Sequence, residues 1–151
     1  MKPVPHCPPP AWPEPLWPTL VAVADRIVPR DEWPGAVEAG ALDYVMRQLS
    51  GDLRNEATIV EQGLAALEAE AQERVGRPLQ DLDDEAMDAM LEAVKRGEVR
   101  TAWPVDPVAW FTTVIHLVGE GFYADPANGG NRGAVSWSMI GYAAEAKRGR
   151  A

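Results

Sequence analysis

The chain has 151 residues and a net charge of −9, from 23 acidic and 14 basic residues. This length suits one domain with a real core and is short for two. The acidic balance disfavours binding to a phosphate backbone, since the basic residues cluster only at Lys147, Arg148 and Arg150. The sequence has no run of about 18 apolar residues, so it predicts no membrane-spanning helix.

The single cysteine, Cys7, excludes an intramolecular disulfide, and no zinc-binding spacing of Cys and His occurs. The N-terminal residues lack the basic start, the apolar stretch and the twin arginines of an export signal. We therefore expect the chain to be cytoplasmic, or periplasmic if an exported partner carries it.

The composition divides the chain into three parts. Residues 1–18 hold eight of the 14 prolines and are predicted to form an extended arm. Residues 19–142 are predicted to form a helical domain, and residues 143–151 a flexible tail. The arm contains Trp12 and Trp17, which either fold back on the helices or contact a partner, since tryptophan is enriched at interface hot spots.

Apolar periodicity predicts an all-α fold, a compact bundle of about five helices plus a short C-terminal one. Thr19, Asp83 and Asp106 are predicted to cap their helices. Glu68 and Glu70 fall off the apolar stripe of the third helix, and the fifth helix is apolar on most sides and predicted to be central. The helices are expected over residues 19–28, 34–49, 53–75, 84–96, 107–122 and 133–139.

No catalytic, cofactor-binding or metal-binding residue is predicted. His116 and Glu120 are spaced to share one helix face, where they could hold a metal, but no third ligand is apparent. The acidic run 81–85 is typical of a helix N-terminus. The loop 125–133 lacks the ligand spacing of a calcium loop and the Gly-Lys-Ser/Thr of a phosphate loop. An enzyme that uses His116, Glu120 and Asp125 remains an alternative.

Three stretches resemble the gluconate 2-dehydrogenase subunit 3 family. The first is LVAVADRIVP at residues 20–29, followed by Pro34-Gly35-Ala36 and Ala39-Gly40-Ala41. The second is DYVMRQLSGD at residues 43–52, and the third, the most specific, is GFYADPANGGN at residues 121–131 followed by WSMIG at residues 137–141. Together they span nearly all of the chain after the arm.

The resemblance implies a non-catalytic small subunit of a hetero-oligomer. Such subunits bind, stabilise and help to mature an FAD-dependent sugar or polyol dehydrogenase of the glucose–methanol–choline type, which oxidises gluconate, glucose, fructose or the 3-position of glucosides. FAD is then expected on the partner chain and no cofactor on this one. Many family members carry a twin-arginine signal, which this sequence lacks.

The aromatic residues exceed what the core of a small monomer needs, and several lie beside proline or glycine in linkers. This distribution, with the Gly-rich loop, predicts a partner-binding surface. Its expected residues are Trp12, Trp17, Trp33, Tyr123, Asn131, Arg132 and Trp137. The competing hypothesis is a free-standing helical module that binds a peptide or a small ligand and is a stable monomer.

Overall fold

Six α-helices make up the part of the chain that the computed structural model describes, which is residues 14–124, 126–128 and 130–139. No strand occurs among these residues, so the prediction of an all-α fold is confirmed. Short 3-10 turns precede α1, α3, α4 and α6. The helices are α1 (Trp17–Ile27), α2 (Ala41–Ser50), α3 (Ala57–Val75), α4 (Asp84–Lys95), α5 (Pro107–Tyr123) and α6 (Val135–Met139).

Helix α5 is central, as its apolar sequence predicts. It packs against α1, α2, α3 and α4. Trp110, which is 1% exposed, donates from its ring N–H to the Val60 carbonyl at 3.1 Å. Gly63 of α3 leaves the room that this ring occupies, because a Cβ at this position would collide with it. A tryptophan that is hydrogen-bonded and packed in this way fixes α5 against α3.

The N-terminal boundary of α1 differs from the prediction. The helix begins at Trp17, and Pro18 sits in its first turn, where a missing N–H costs nothing. Thr19 is therefore not the N-cap; it is buried and donates its hydroxyl to Glu68 at 2.6 Å. Residues 1–13 of the predicted arm and residues 140–151, which include the predicted tail, lie outside the described residues.

The second and third helices also begin later than predicted. Residues 36–40 form turns instead of helix, and Gly40 precedes α2 with a φ of +76°. Ala36 donates its N–H to the Val28 carbonyl at 2.9 Å, which closes a loop that a continuous helix could not make. Residues 54–56 form a 3-10 turn before α3. The caps Asp83 and Asp106 are confirmed, since each side chain accepts a backbone N–H of its helix.

Candidate partner-binding surface

Asn131 organises the segment that follows α5. Its side chain is fully buried, and its Nδ2 donates to the Ala124 carbonyl at 2.8 Å. Its Oδ1 accepts from the Ser136 N–H at 2.9 Å and from the Ser136 hydroxyl at 2.7 Å. The backbone φ of +50° is one that asparagine adopts more readily than most residues. One amide therefore joins the end of α5 to the start of α6.

The same segment lies against the start of α2. The Arg132 N–H donates to the Ala39 carbonyl at 2.8 Å, and its guanidinium pairs with Asp43. The guanidinium lies close to Gly40, where a Cβ would be 2.6 Å from its Nε. Two of the stretches that carry the family resemblance, around Ala39 and around Asn131, therefore lie against each other.

Glycine permits the close packing inside this unit. A Cβ on Gly121 of α5 would be 2.6 Å from the Ala41 carbonyl oxygen of α2. A Cβ on Gly130 would collide with the Gly121 carbonyl oxygen in turn. Three backbone segments are therefore stacked at distances that no side chain allows.

Tyr123 and Trp137 form the aromatic part of the surface. The Trp137 ring N–H donates to the Tyr123 carbonyl at 3.1 Å, so the two residues are neighbours. The Tyr123 ring packs edge-on against Phe122 at 4.9 Å between centroids and remains 48% exposed. Tyr123 is therefore an exposed aromatic residue of a type that is enriched among interface hot spots.

The structure thus brings together Tyr123, Asn131, Arg132 and Trp137. Trp33 lies elsewhere, in the loop between α1 and α2, and is 37% exposed. Trp17 is 4% exposed and Asn131 is fully buried within their own chain, and contact of these two residues with a partner stays a prediction. Trp17 packs on the helices, and Asn131 positions its neighbours. Trp12 lies outside the described residues.

The His116–Glu120 pair lies at the surface. His116 is exposed, and Glu120 accepts a hydrogen bond from the Tyr44 hydroxyl at 2.8 Å. Burial, followed by this hydrogen bond, raises the pKa of Tyr44. Asp125, the third member of the alternative catalytic set, lies outside the described residues. No group of three or more potential metal ligands occurs within residues 14–124, 126–128 and 130–139.

Glu70 of α3, which the sequence placed off the apolar stripe, is fully buried. It accepts hydrogen bonds from Arg74 Nε at 2.7 Å, Arg100 N at 2.8 Å and the Thr101 hydroxyl at 2.7 Å. The Thr101 N–H at 3.1 Å and the Trp103 ring N–H at 3.3 Å complete the set. The carboxylate therefore anchors the segment between α4 and α5.

Burial acts to raise the pKa of Glu70, but the hydrogen bonds from Thr101, Arg74, Arg100 and Trp103 outweigh it and lower the pKa to about 2. A carboxylate with so low a pKa and so many donors is a poor general base. Its position three residues after Leu67, at the edge of the stripe, was the available signal in the sequence. Arg74 lies four residues on in the same helix, whereas the other four donors come from residues 100–103 and became evident only in the fold.

A groove of about 550 Å³ lies between α1, α4 and the 3-10 turn Leu79–Asp81. Its apolar wall includes Val21, Leu82 and Met87. Asp25, which is 4% exposed, also lines the groove, together with Asp84. The groove is large enough for a small ligand or for part of a peptide.

Among the described residues, no helix is long and apolar enough to cross a membrane. No curated protein and no solved structure matches the chain significantly. The family model described as gluconate 2-dehydrogenase subunit 3 matches residues 14–143, which include every element of the bundle and the Asn131 segment. The chain belongs to the gluconate 2-dehydrogenase subunit 3 family.

Proposed function

We propose that this chain is a non-catalytic subunit that binds and stabilises a larger FAD-dependent sugar or polyol dehydrogenase and assists its maturation. Membership of the subunit 3 family carries the proposal, because the family is an accessory subunit of a dehydrogenase complex. FAD and the sugar site belong to the partner chain, of the gluconate, glucose, fructose or glucoside 3-dehydrogenase type. The two chains form a hetero-oligomer.

The surface described above supports the proposal. Tyr123 is 48% exposed, and the Arg132 side chain is 44% exposed. Tyrosine and arginine are enriched in the energetic centres of interfaces. The buried bonds of Asn131 fix the segment that presents both, so little conformational entropy is lost on binding.

The test is co-expression of the large subunit with and without this chain, followed by size-exclusion chromatography with absorbance in the flavin band. We expect the two chains to co-elute, with soluble flavin-loaded enzyme obtained when this chain is present. A large subunit that is equally soluble, flavin-loaded and active alone, with this chain eluting separately, would overturn the proposal. Fractionation of cells expressing both chains tests the compartment, which we propose is the cytoplasm unless the partner is exported.

The groove between α1 and α4 favours a second candidate function, a free-standing module that binds a peptide or a small ligand. Its volume of about 550 Å³ falls within the range of ligand pockets. This function predicts a monodisperse monomer with ligand affinity in the absence of the large subunit. Val21→Glu, which places a charge in the half-buried wall of the groove, would then abolish ligand binding while the chain remains a monomer.

A further inference from the structure

Helix α5 has one face that the bundle does not cover. Val108, Ala109, Thr112, His116 and Tyr123 are exposed, and Gly119 is half-buried. At 100° per residue, these six residues fall within an arc of about 100°. They are called the α5 outer face below. The opposite side of the helix carries Trp110, Val114, Leu117 and Phe122 into the core.

The α5 outer face differs in charge from the rest of the molecule. Residues 107–119 contain no Asp, Glu, Lys or Arg, although charged residues make up 25% of the chain. The exposed Glu120, which accepts the Tyr44 hydroxyl, lies at the edge of the face. Val108 is 41% exposed and Tyr123 48% exposed. The Thr112 hydroxyl donates to the Val108 carbonyl at 3.0 Å, so its donor is used inside the helix. An exposed face of this kind is typical of the centre of an interface, where charged residues are depleted.

Gly119 provides an independent observation. Three glycines lie within the described α-helices: Gly63, Gly119 and Gly121. At Gly63 and Gly121, a Cβ would collide with Trp110 and Ala41, so packing within the chain explains both. At Gly119, a Cβ would meet nothing within 4 Å. Glycine costs a helix about 1 kcal/mol relative to alanine, and no contact among the described residues offsets that cost. The close approach of another chain at Gly119 would offset this cost.

We infer that the α5 outer face is the docking surface for an uncharged, apolar patch of the large subunit, an inference that rests on the proposed function. A second copy of this chain is the less favourable occupant, because each copy has a net charge of −9 and like charges repel at close approach.

The α5 outer face is by itself too small for a stable complex. A 17-residue helix is about 26 Å long, and a strip about 10 Å wide along it covers roughly 260 Å², less than the approximately 800 Å² per partner of a stable complex. Tyr123 ends the strip, and its carbonyl accepts the Trp137 hydrogen bond. The α5 outer face therefore continues into the surface of Tyr123, Arg132 and Trp137, and the two together form the larger interface that a permanent partner requires.

The test uses the full chain and the large subunit, with affinity measured by interferometry and the Tm of each variant measured alone. Thr112→Arg and Gly119→Leu should weaken the complex at least tenfold. Gly119→Leu should not lower the Tm, because the position is open and leucine favours helix. Ala65→Arg, on the exposed side of α3, is the matched control and should bind as the wild type does.

Three results would contradict the inference. Wild-type affinity of both variants would place the partner elsewhere and leave the proposed function intact. Absence of any complex with the wild-type chain would remove the proposed function and the docking surface together. A wild-type chain that dimerises alone, and becomes monomeric on Thr112→Arg, would assign the face to a second copy.

Discussion

Two buried polar side chains, Glu70 and Asn131, each fix a loop to a helix, and they do so with opposite electrostatics. Glu70 is a charged acceptor with five donors from its own helix and residues 100–103. Asn131 is a neutral amide that both donates and accepts, with partners at Ala124 and Ser136. The charged group binds its loop more strongly but depends on pH. The amide of Asn131 does not titrate, and it lies in the segment that presents the partner-binding surface.

The largest expected effect comes from removing the charged group. Glu70→Ala leaves five donors without their common acceptor, and we expect a loss of about 3–5 kcal/mol in the free energy of unfolding, because buried groups that lose a charged partner stay desolvated. Urea denaturation followed by circular dichroism measures it. Glu73→Ala, an exposed neighbour on the same helix, is the control and should cost less than about 1 kcal/mol. Equal effects would contradict the anchoring role.

The pH dependence of stability distinguishes the two groups. The pKa of Glu70 is about 2 in the folded chain against an ordinary 4.5. Because this pKa is lower in the folded chain, ionised Glu70 stabilises the fold above pH 4.5. This contribution to the free energy of unfolding, on the order of 3 kcal/mol, is lost as the pH falls toward 2.

Glu70→Gln should flatten this part of the stability profile, measured by urea denaturation at a series of pH values. A smaller dependence of stability on pH should remain in this variant, because the hydrogen bond from Arg26 lowers the pKa of Asp88. Asn131→Ala should leave the slope of the wild type unchanged. A profile that keeps its full slope in Glu70→Gln would show that other carboxylates control the acid transition.

The neutral group should give an effect of intermediate size. Asn131→Ala removes three hydrogen bonds and places alanine at a φ of +50°, so we expect a loss of about 2–3 kcal/mol. Asn131→Gly should recover about 1 kcal/mol of it, because glycine adopts this φ without strain. Hydrogen exchange should show faster exchange across residues 124–139 in both variants. The affinity of both variants for the large subunit should also fall, whereas Glu70→Gln should leave that affinity unchanged at neutral pH.

The smallest effects come from removing one donor at a time. Thr101→Val removes one of the five bonds to Glu70, and Ser136→Ala removes one of the two donors to Asn131. Each should cost about 1 kcal/mol. Thr101→Val should also raise the pKa of Glu70 and move the acid transition to higher pH, while Ser136→Ala should leave that transition unchanged. Thermal unfolding at pH 3 and pH 7 separates the two results.

Several features were predictable because they depend on local chemistry. Periodicity predicted the all-α fold and the central position of α5, and the caps Asp83 and Asp106 follow from residue type and position alone. The resemblance indicated the stretches around Ala39 and Asn131 before the structure showed that they touch. The prediction was wrong at the start of α2, where the hydrogen bond from Ala36 to the Val28 carbonyl replaces helix.

The choice between the two alternatives for Trp17, the burial of Asn131 and the loop donors of Glu70 could not be predicted, because each depends on contacts between distant segments. A single sequence marks tryptophan as apolar without indicating whether its own chain or another will cover it. The exposure of the α5 outer face has the same origin, since a helix that is apolar on most sides predicts burial all round.

What the sequence determined by itself was the fold class, the helix ends set by capping residues, and the family, since these depend on local pattern. Tertiary structure decided which polar groups are buried and which aromatic residues face outward. It also decided at which of the three helical glycines a neighbouring segment occupies the space of a Cβ. Those properties depend on the packing of segments that are distant along the chain. Ala39 and Arg132, for example, are far apart in sequence but share a backbone hydrogen bond. Burial is a property of the assembled molecule, because the free energy of desolvation depends on all neighbours at once.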